Sequence, residues 1–193
     1  MNKTIAIDIG DVCLKRELNR PQEYFGLNPE TELPLEIQVI IDKFERGRIS
    51  REAWVAGMRR ALPGNFTNDE ICHGWNTLIG DDIPEMYEFV SEMVAAGFRF
   101  VFFSDTSELH FSHVSRNLGC VHLISGAILS YEVDAKKPED GMFEAFEAKY
   151  GVPCCYLDDM PQNIAAGRQR GWFSIQFDNA EAMRRDFFAE FRI

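Results

Sequence analysis

Asp8, Ser104, Lys137 and the adjacent pair Asp158-Asp159 share a kind of position. Thr4-Ile5-Ala6-Ile7 runs into Asp8, Phe98–Phe103 into Ser104, and Cys154-Cys155-Tyr156-Leu157 into the acidic pair. Lys136-Lys137-Pro138 opens a helical pattern about twenty residues before that pair. In an open parallel sheet, ligands bind outside the carboxyl ends of the strands, so polar residues that terminate apolar runs are the first candidates for a site. A carboxylate, a hydroxyl, a lysine and an acidic pair suit phosphoryl transfer through an aspartyl-phosphate. A carboxylate can attack phosphorus only if a cation cancels its repulsion from the phosphate dianion. Mg²⁺, which takes one or two carboxylates plus substrate oxygens and water, is the expected cofactor. The Ser104 hydroxyl and Lys137 ammonium would neutralise the remaining equatorial oxygens. Backbone N–H groups after Asp8 and Ser104 would complete the cradle.

These residues need a rigid sheet to converge. The apolar runs, together with Trp172–Phe177 and a further candidate at Val121–Ile124, read as strands, two of them hydrophobic enough to be covered on both faces. Helical patterns separate them: Pro84–Ala96 ended by Gly97, and Glu139–Tyr150 ended by Gly151. Alternating strands and helices predict an α/β fold, a Rossmann-like parallel sheet. From about residue 17 to 80 the pattern changes and no convincing strand is visible. Helix signals there cover Pro34–Arg46, Ser50–Leu62 and Thr67–Leu78, the last opening on the capping-box pattern Thr67-Asn68-Asp69-Glu70. The expected organisation is a core of residues 1–16 and 81–193 with a small helical cap, 17–80, inserted after the first strand.

Composition narrows the partners. A net charge of -11 repels phosphodiester backbones and anionic membranes but tolerates a divalent cation. The expected partner is a small phosphorylated substrate. The five cysteines, Cys13, Cys72, Cys120, Cys154 and Cys155, are odd in number and contain no CxxC pair, which fits packing thiols in a reducing compartment. The chain runs from Met1-Asn2-Lys3-Thr4 directly into Ile5-Ala6-Ile7, with no signal-peptide pattern and no membrane-length apolar run, so a cytoplasmic location is expected.

Taken in order, Asp8-Ile9-Gly10-Asp11-Val12, Phe103-Ser104-Asp105-Thr106, Lys137-Pro138-Glu139 and Leu157-Asp158-Asp159-Met160-Pro161-Gln162-Asn163-Ile164 resemble the four motifs of the haloacid-dehalogenase-like (HAD) hydrolase superfamily. The resemblance covers almost the whole chain, and the insertion looks like that superfamily's helical cap. Phe44–Ser50 looks like a cap turn of the branch that holds α-glucose-1-phosphate phosphatases and the N-terminal phosphatase domain of soluble epoxide hydrolase. The resemblance implies that Asp8 is nucleophile and metal ligand and that the Gly10 carbonyl and Asp159 also bind Mg²⁺. Asp158 and Asn163 would hold the ion through water. Ser104 and Lys137 would bind the phosphoryl group, helped by the backbone of Ile9, Gly10 and Asp105. The implied activity is that of a phosphomonoesterase acting on a small metabolite such as a sugar phosphate.

Two departures matter. Most phosphatases of that superfamily carry a second Asp two residues after the nucleophile as general acid and base. Here Gly10 stands there, leaving Asp11 as an open candidate. The loss of a general acid typically costs ~10²–10⁴ in rate. Asp105 stands where the similar branch usually shows Asn, and would repel phosphate unless it turns away, for example to cap the next helix with Glu108. The competing function is a phosphate-binding or regulatory protein with weakened chemistry. A dehalogenase is disfavoured because its chemistry needs no acidic pair for metal. His110 and His113 read as surface or packing groups and Lys136 as solvated. Trp54 and Trp75 read as cap core, although one of them, or Phe44 and Arg48, is an open candidate to face substrate. The tail Arg184–Phe188 reads as a docked helix.

Overall fold

The computed structural model describes residues 3–192. β1 (Thr4–Ile7) is followed by a tight turn and β2 (Leu14–Arg16). Four helices come next: α1 (Arg20–Tyr24), α2 (Leu35–Glu45), α3 (Arg51–Ala61) and α4 (Asn68–Asn76). The chain continues through β3 (Ile79–Asp82), α5 (Pro84–Ala95), β4 (Arg99–Ser104), α6 (Glu108–Asn117) and a 3₁₀ turn at Gly119–Leu123. It then forms β5 (Ile124–Leu129), α7 (Ser130–Val133), α8 (Asp140–Tyr150), β6 (Cys155–Asp158), α9 (Pro161–Gln169), β7 (Ser174–Gln176) and α10 (Ala180–Phe191).

The predicted parallel α/β sheet is present, with strand order β5-β4-β1-β6-β7. Its near-continuous apolar strands are explained by two-sided burial. Ile5, Ile7, Phe100, Phe102, Cys155 and Leu157 pack into one core layer, and Ala6, Val101, Phe103 and Tyr156 into the other. From β1 the chain moves outward to β4 and β5, then returns to β6 on β1's other side. The strand order therefore reverses between β1 and β6, and a crevice for ligands opens at their carboxyl ends.

The helices between β2 and β3 have their own core, in which Phe44 stacks on Trp54 and both are almost fully buried. The Thr67–Glu70 capping box forms in both directions and starts α4. Three local expectations need correction. The stretch 17–80 does contain strand: β3 begins at Ile79 and pairs antiparallel with β2. With one apolar residue it carries no periodic signal, and its strand character comes from its partner. The segment expected as a strand at Val121–Ile124 is mostly 3₁₀ turn, and pairing with β4 starts only around Ile124. Lys136 is only partly solvated, because its ammonium lies 2.6 Å from the Glu45 carboxylate of α2 and its side chain is 26% exposed.

That pair belongs to a polar seam between the helical insertion and the sheet domain. Arg46 reaches Glu139 at 2.6 Å, Arg48 reaches Asp134 at 2.6 Å, and the Ser130 hydroxyl donates to the Glu45 carbonyl. Gly47 lies in the seam with φ +68°, and a Cβ there would collide with the Tyr131 carbonyl oxygen. Neither a left-handed backbone nor that approach tolerates a side chain. Gly47→Ala is expected to cost about 2 kcal/mol or more and to speed proteolysis at the junction; an unchanged melting temperature would refute this. No helix among the described residues is long and apolar enough to cross a membrane. All five cysteines are free.

Candidate active site

The candidate residues meet at the β1/β6 crevice. Asp8 follows β1, Ser104 ends β4, Asp158 ends β6, and Lys137 sits in the loop before α8. Carboxylate oxygens of Asp8, Asp158 and Asp159 all lie within 4.8 Å of one another. Lys137 is the central cation. Its Nζ lies 3.0 Å from Asp8 Oδ1 and 2.6 Å from Asp158 Oδ2, and it also donates to the Phe103 carbonyl at 2.8 Å. With protons committed to Asp158 and Phe103, a third remains for Asp8 or a bound phosphoryl oxygen.

Asp158 is fully buried and saturated. Oδ2 accepts from Lys137 and, at 2.6 Å, from the Tyr156 hydroxyl; Oδ1 accepts from Met160 N–H and Asn163 Nδ2, both at 2.9 Å. Burial alone would raise its pKa, but Lys137 and these donors hold it below the ordinary carboxylate value. Asp8 goes the other way. Burial pushes it up and Asp158 adds repulsion, against the pull of Lys137 and hydrogen bonds from the Ser104 side chain and Ile9 backbone.

Asp159 Oδ2 accepts from Arg16 at 3.0 Å, while its Oδ1 is buried without a hydrogen-bond donor; Asp8 Oδ1 is buried with the Lys137 ammonium 3.0 Å away. Three clustered carboxylates, one of them with an orphaned buried oxygen, are costly unless a further cation joins them, and an all-oxygen set suits a hard ion such as Mg²⁺. The donor chemistry therefore fits the expected metal, with Asp8 and Asp159 as its carboxylate contacts and Asp158 with Asn163 behind them. Gly10 lies in the same turn, two residues after Asp8.

Burial, followed by repulsion from Asp8, pushes Asp159 up to about 6. Asp105, pushed up mainly by burial, also reaches about 6. A carboxyl with a raised folded pKa favours the fold at low pH and loses that contribution as pH rises through the folded value. The metal-free protein should therefore become more stable as pH falls from above 6 towards 4. Mg²⁺ binds the ionised form, so its affinity should fall about tenfold per pH unit below 6. Melting curves with and without Mg²⁺ test this: the ion should stabilise strongly at neutral pH and little near pH 5, and an equal shift at both would refute it.

Asp105 does not cap α6 but is engaged elsewhere. Its Oδ1 accepts from the Lys137 backbone N–H at 2.9 Å and so ties the lysine loop to the end of β4. The cap of α6 is Ser107, whose hydroxyl accepts from His110 N–H. Asp11 is also engaged: at φ +53°, its two oxygens accept from the Arg16 backbone N–H and Nε. Arg16 is the main residue that sequence reasoning missed. It bonds Asp11 and Asp159, and its aliphatic stem covers Gly10 so closely that a Cβ there would meet Cδ at 2.8 Å. No sequence signal marks it, because Leu14-Lys15-Arg16-Glu17 reads as a solvated charge run. Tyr156 was also missed, although it precedes Asp158 by two residues on a strand and so shares its face. His110 is a packing group: buried, stacked on Trp75, with Nε2 3.0 Å from the Trp75 carbonyl.

No family model matches the chain. Its fold, however, recurs among solved structures. A HAD-family enzyme from Bacteroides thetaiotaomicron, in complex with magnesium and inorganic phosphate, aligns at TM-score 0.77 over 91% of this chain and 94% of its own, with 20% identity. A predicted HAD-like hydrolase from Porphyromonas gingivalis aligns at 0.80 over 97% and 98%, with 17% identity. L-2-haloacid dehalogenase from Xanthobacter autotrophicus aligns at 0.61 over 98% and 83%, with 13% identity.

Proposed function

We propose that this chain, which has the fold of the HAD-family enzymes, is a Mg²⁺-dependent phosphomonoesterase that acts on a small phosphorylated metabolite through an aspartyl-phosphate at Asp8. The observation that carries the reading is the convergence of Asp8, Asp158 and Asp159 around Lys137 at the sheet's switch point, with an orphaned oxygen on Asp159. The Bacteroides enzyme's complex with magnesium and inorganic phosphate supports it.

When bound, Mg²⁺ would supply the positive charge that lets a carboxylate and a phosphate dianion approach each other. The chain supplies the rest. Lys137 and Ser104 orient the Asp8 carboxylate, whose oxygen attacks phosphorus as the bond to the ester oxygen breaks. The departing alkoxide takes its proton from water, because Gly10 offers none and both Asp11 oxygens face Arg16. Water then attacks the phosphorus of the aspartyl-phosphate, the Asp8–phosphorus bond breaks, and inorganic phosphate leaves. Displacement of halide from carbon would not require a divalent cation, and so would leave the carboxylate cluster unexplained.

The test is phosphate release from p-nitrophenyl phosphate, whose acidic leaving group needs no protonation. Release with Mg²⁺ and its loss with EDTA are expected. Tight Mg²⁺ binding without release would favour the phosphate-binding alternative.

A further inference from the structure

The helical insertion encloses a cavity of about 330 Å³ that shares Arg16 and Leu78 with the small hollow over Gly10, Ser104 and Asp105. We infer that this cavity is the binding site for the non-phosphate part of the substrate, and that the substrate is a phosphomonoester of an apolar alcohol, aliphatic or aromatic, rather than a sugar phosphate. The inference rests on the phosphatase reading and names the substrate class for that site.

Three observations support it. First, the volume falls within the ~300–1,000 Å³ of small-molecule pockets and far exceeds the voids left in close-packed interiors. Second, apart from Arg16, Gln22 and Glu45, every lining residue is apolar, with Phe25, Ile37, Met58 and Trp75 among them. Two of those polar groups are already paired, Arg16 with Asp11 and Asp159, and Glu45 with Lys136. A sugar would bring several hydroxyls against walls that can satisfy few of them, and each unpaired hydroxyl penalises binding. Third, Gln22 Oε1 and Trp75 Nε1 are buried without partners. One accepts and the other donates, so beyond its apolar walls the cavity offers only one unsatisfied acceptor and one unsatisfied donor among its lining residues.

Arg16 marks the border between the two compartments. Its guanidinium faces the carboxylates, and its stem lies over Gly10. A phosphoryl group at Asp8 would thus have its ester oxygen near Arg16 and its organic part directed into the cavity.

The experiment is a series of n-alkyl phosphates from ethyl to octyl, with phenyl and glucose phosphates beside it, assayed for phosphate release with Mg²⁺. We expect kcat/KM to rise about fourfold per methylene until the cavity fills, and the glucose phosphates to be poorer than phenyl phosphate. Ile41→Trp, which projects bulk into the cavity, should flatten the chain-length dependence, with a melting curve confirming that it folds. Release that is independent of chain length, or fastest with a glucose phosphate, would overturn the inference and leave the phosphatase reading standing. If nothing is released, the phosphatase reading falls. Non-hydrolysable n-alkyl phosphonates titrated against tryptophan fluorescence then decide the cavity's role: affinity rising with chain length upholds it as the site for an apolar body, and affinity independent of chain length overturns it.

Discussion

Replacing Asp8 with Asn should lower phosphate release by ~10⁴-fold or more and leave the fold at least as stable as before. The activity loss follows from the nucleophilic role proposed for Asp8, because an amide oxygen cannot form the aspartyl-phosphate. The stability result follows from the surroundings. Asp8 is buried beside Asp158, and burial together with that repulsion holds its pKa above the ordinary value. The charged form is thus unfavourable for the fold, and a neutral isostere relieves it. Lys137 keeps Asp158 at 2.6 Å and the Phe103 carbonyl, so it does not become an unpaired buried charge. The comparison is made by phosphate release with Mg²⁺ and by melting temperature in its absence. A variant that retains a tenth of wild-type activity would show that Asp8 is not the nucleophile. One that melts well below wild type would show that the carboxylate is structural.

Lys137→Met should be damaging in both respects. The lysine side chain is 1% exposed and is the buried cation shared by Asp8 and Asp158. Burial opposes its charge, but Asp8, Asp158 and Asp105 outweigh that and raise its pKa. Its removal leaves buried carboxylates without a counter-charge, which typically costs ~3–5 kcal/mol. At ~2–4 °C per kcal/mol for a chain of this size, the melting temperature should fall by about 6–20 °C. Part of that loss should return as pH falls, because Asp8, Asp105 and Asp158, whose ionised forms Lys137 stabilises, take up protons more readily without it. A lysine that served only to bind phosphate would show the activity loss without the pH-dependent loss of stability, and that outcome would refute the structural role assigned here.

Much of the sheet is legible in the sequence, and for a simple reason. β1, β4 and β6 are covered by helices on both faces, so their residues are apolar without alternation and stand out as runs. The helix starts at Ser50 and Thr67 are legible because a capping hydroxyl works through backbone groups three residues away. β3 and α1 are not. Ile79–Asp82 is a strand because Leu14–Arg16 lies beside it, and Arg20–Tyr24 spans only five residues. The site shows the same division: Asp8, Ser104 and Asp158 are strand-end residues and can be found from the runs they terminate, whereas Arg16 cannot.

The sequence by itself determined which chemistry could be proposed, because residue identity and the lengths of apolar runs decide which polar groups emerge at the carboxyl ends of strands. Tertiary structure alone decided how charge is shared among those groups. Arg16 reaches Asp159 across 143 positions, the Lys137 backbone holds Asp105 across 32, and the Lys137 ammonium serves Asp158 across 21. Coulombic and hydrogen-bond energies depend on distance in space and on exclusion of water, and neither is written in chain order. For the same reason Asp11, adjacent in sequence to the missing general acid, is committed to Arg16. The insertion's apolar residues were visible as helix faces, but only their packing shows that they surround a cavity sharing Arg16 and Leu78 with the hollow over Gly10.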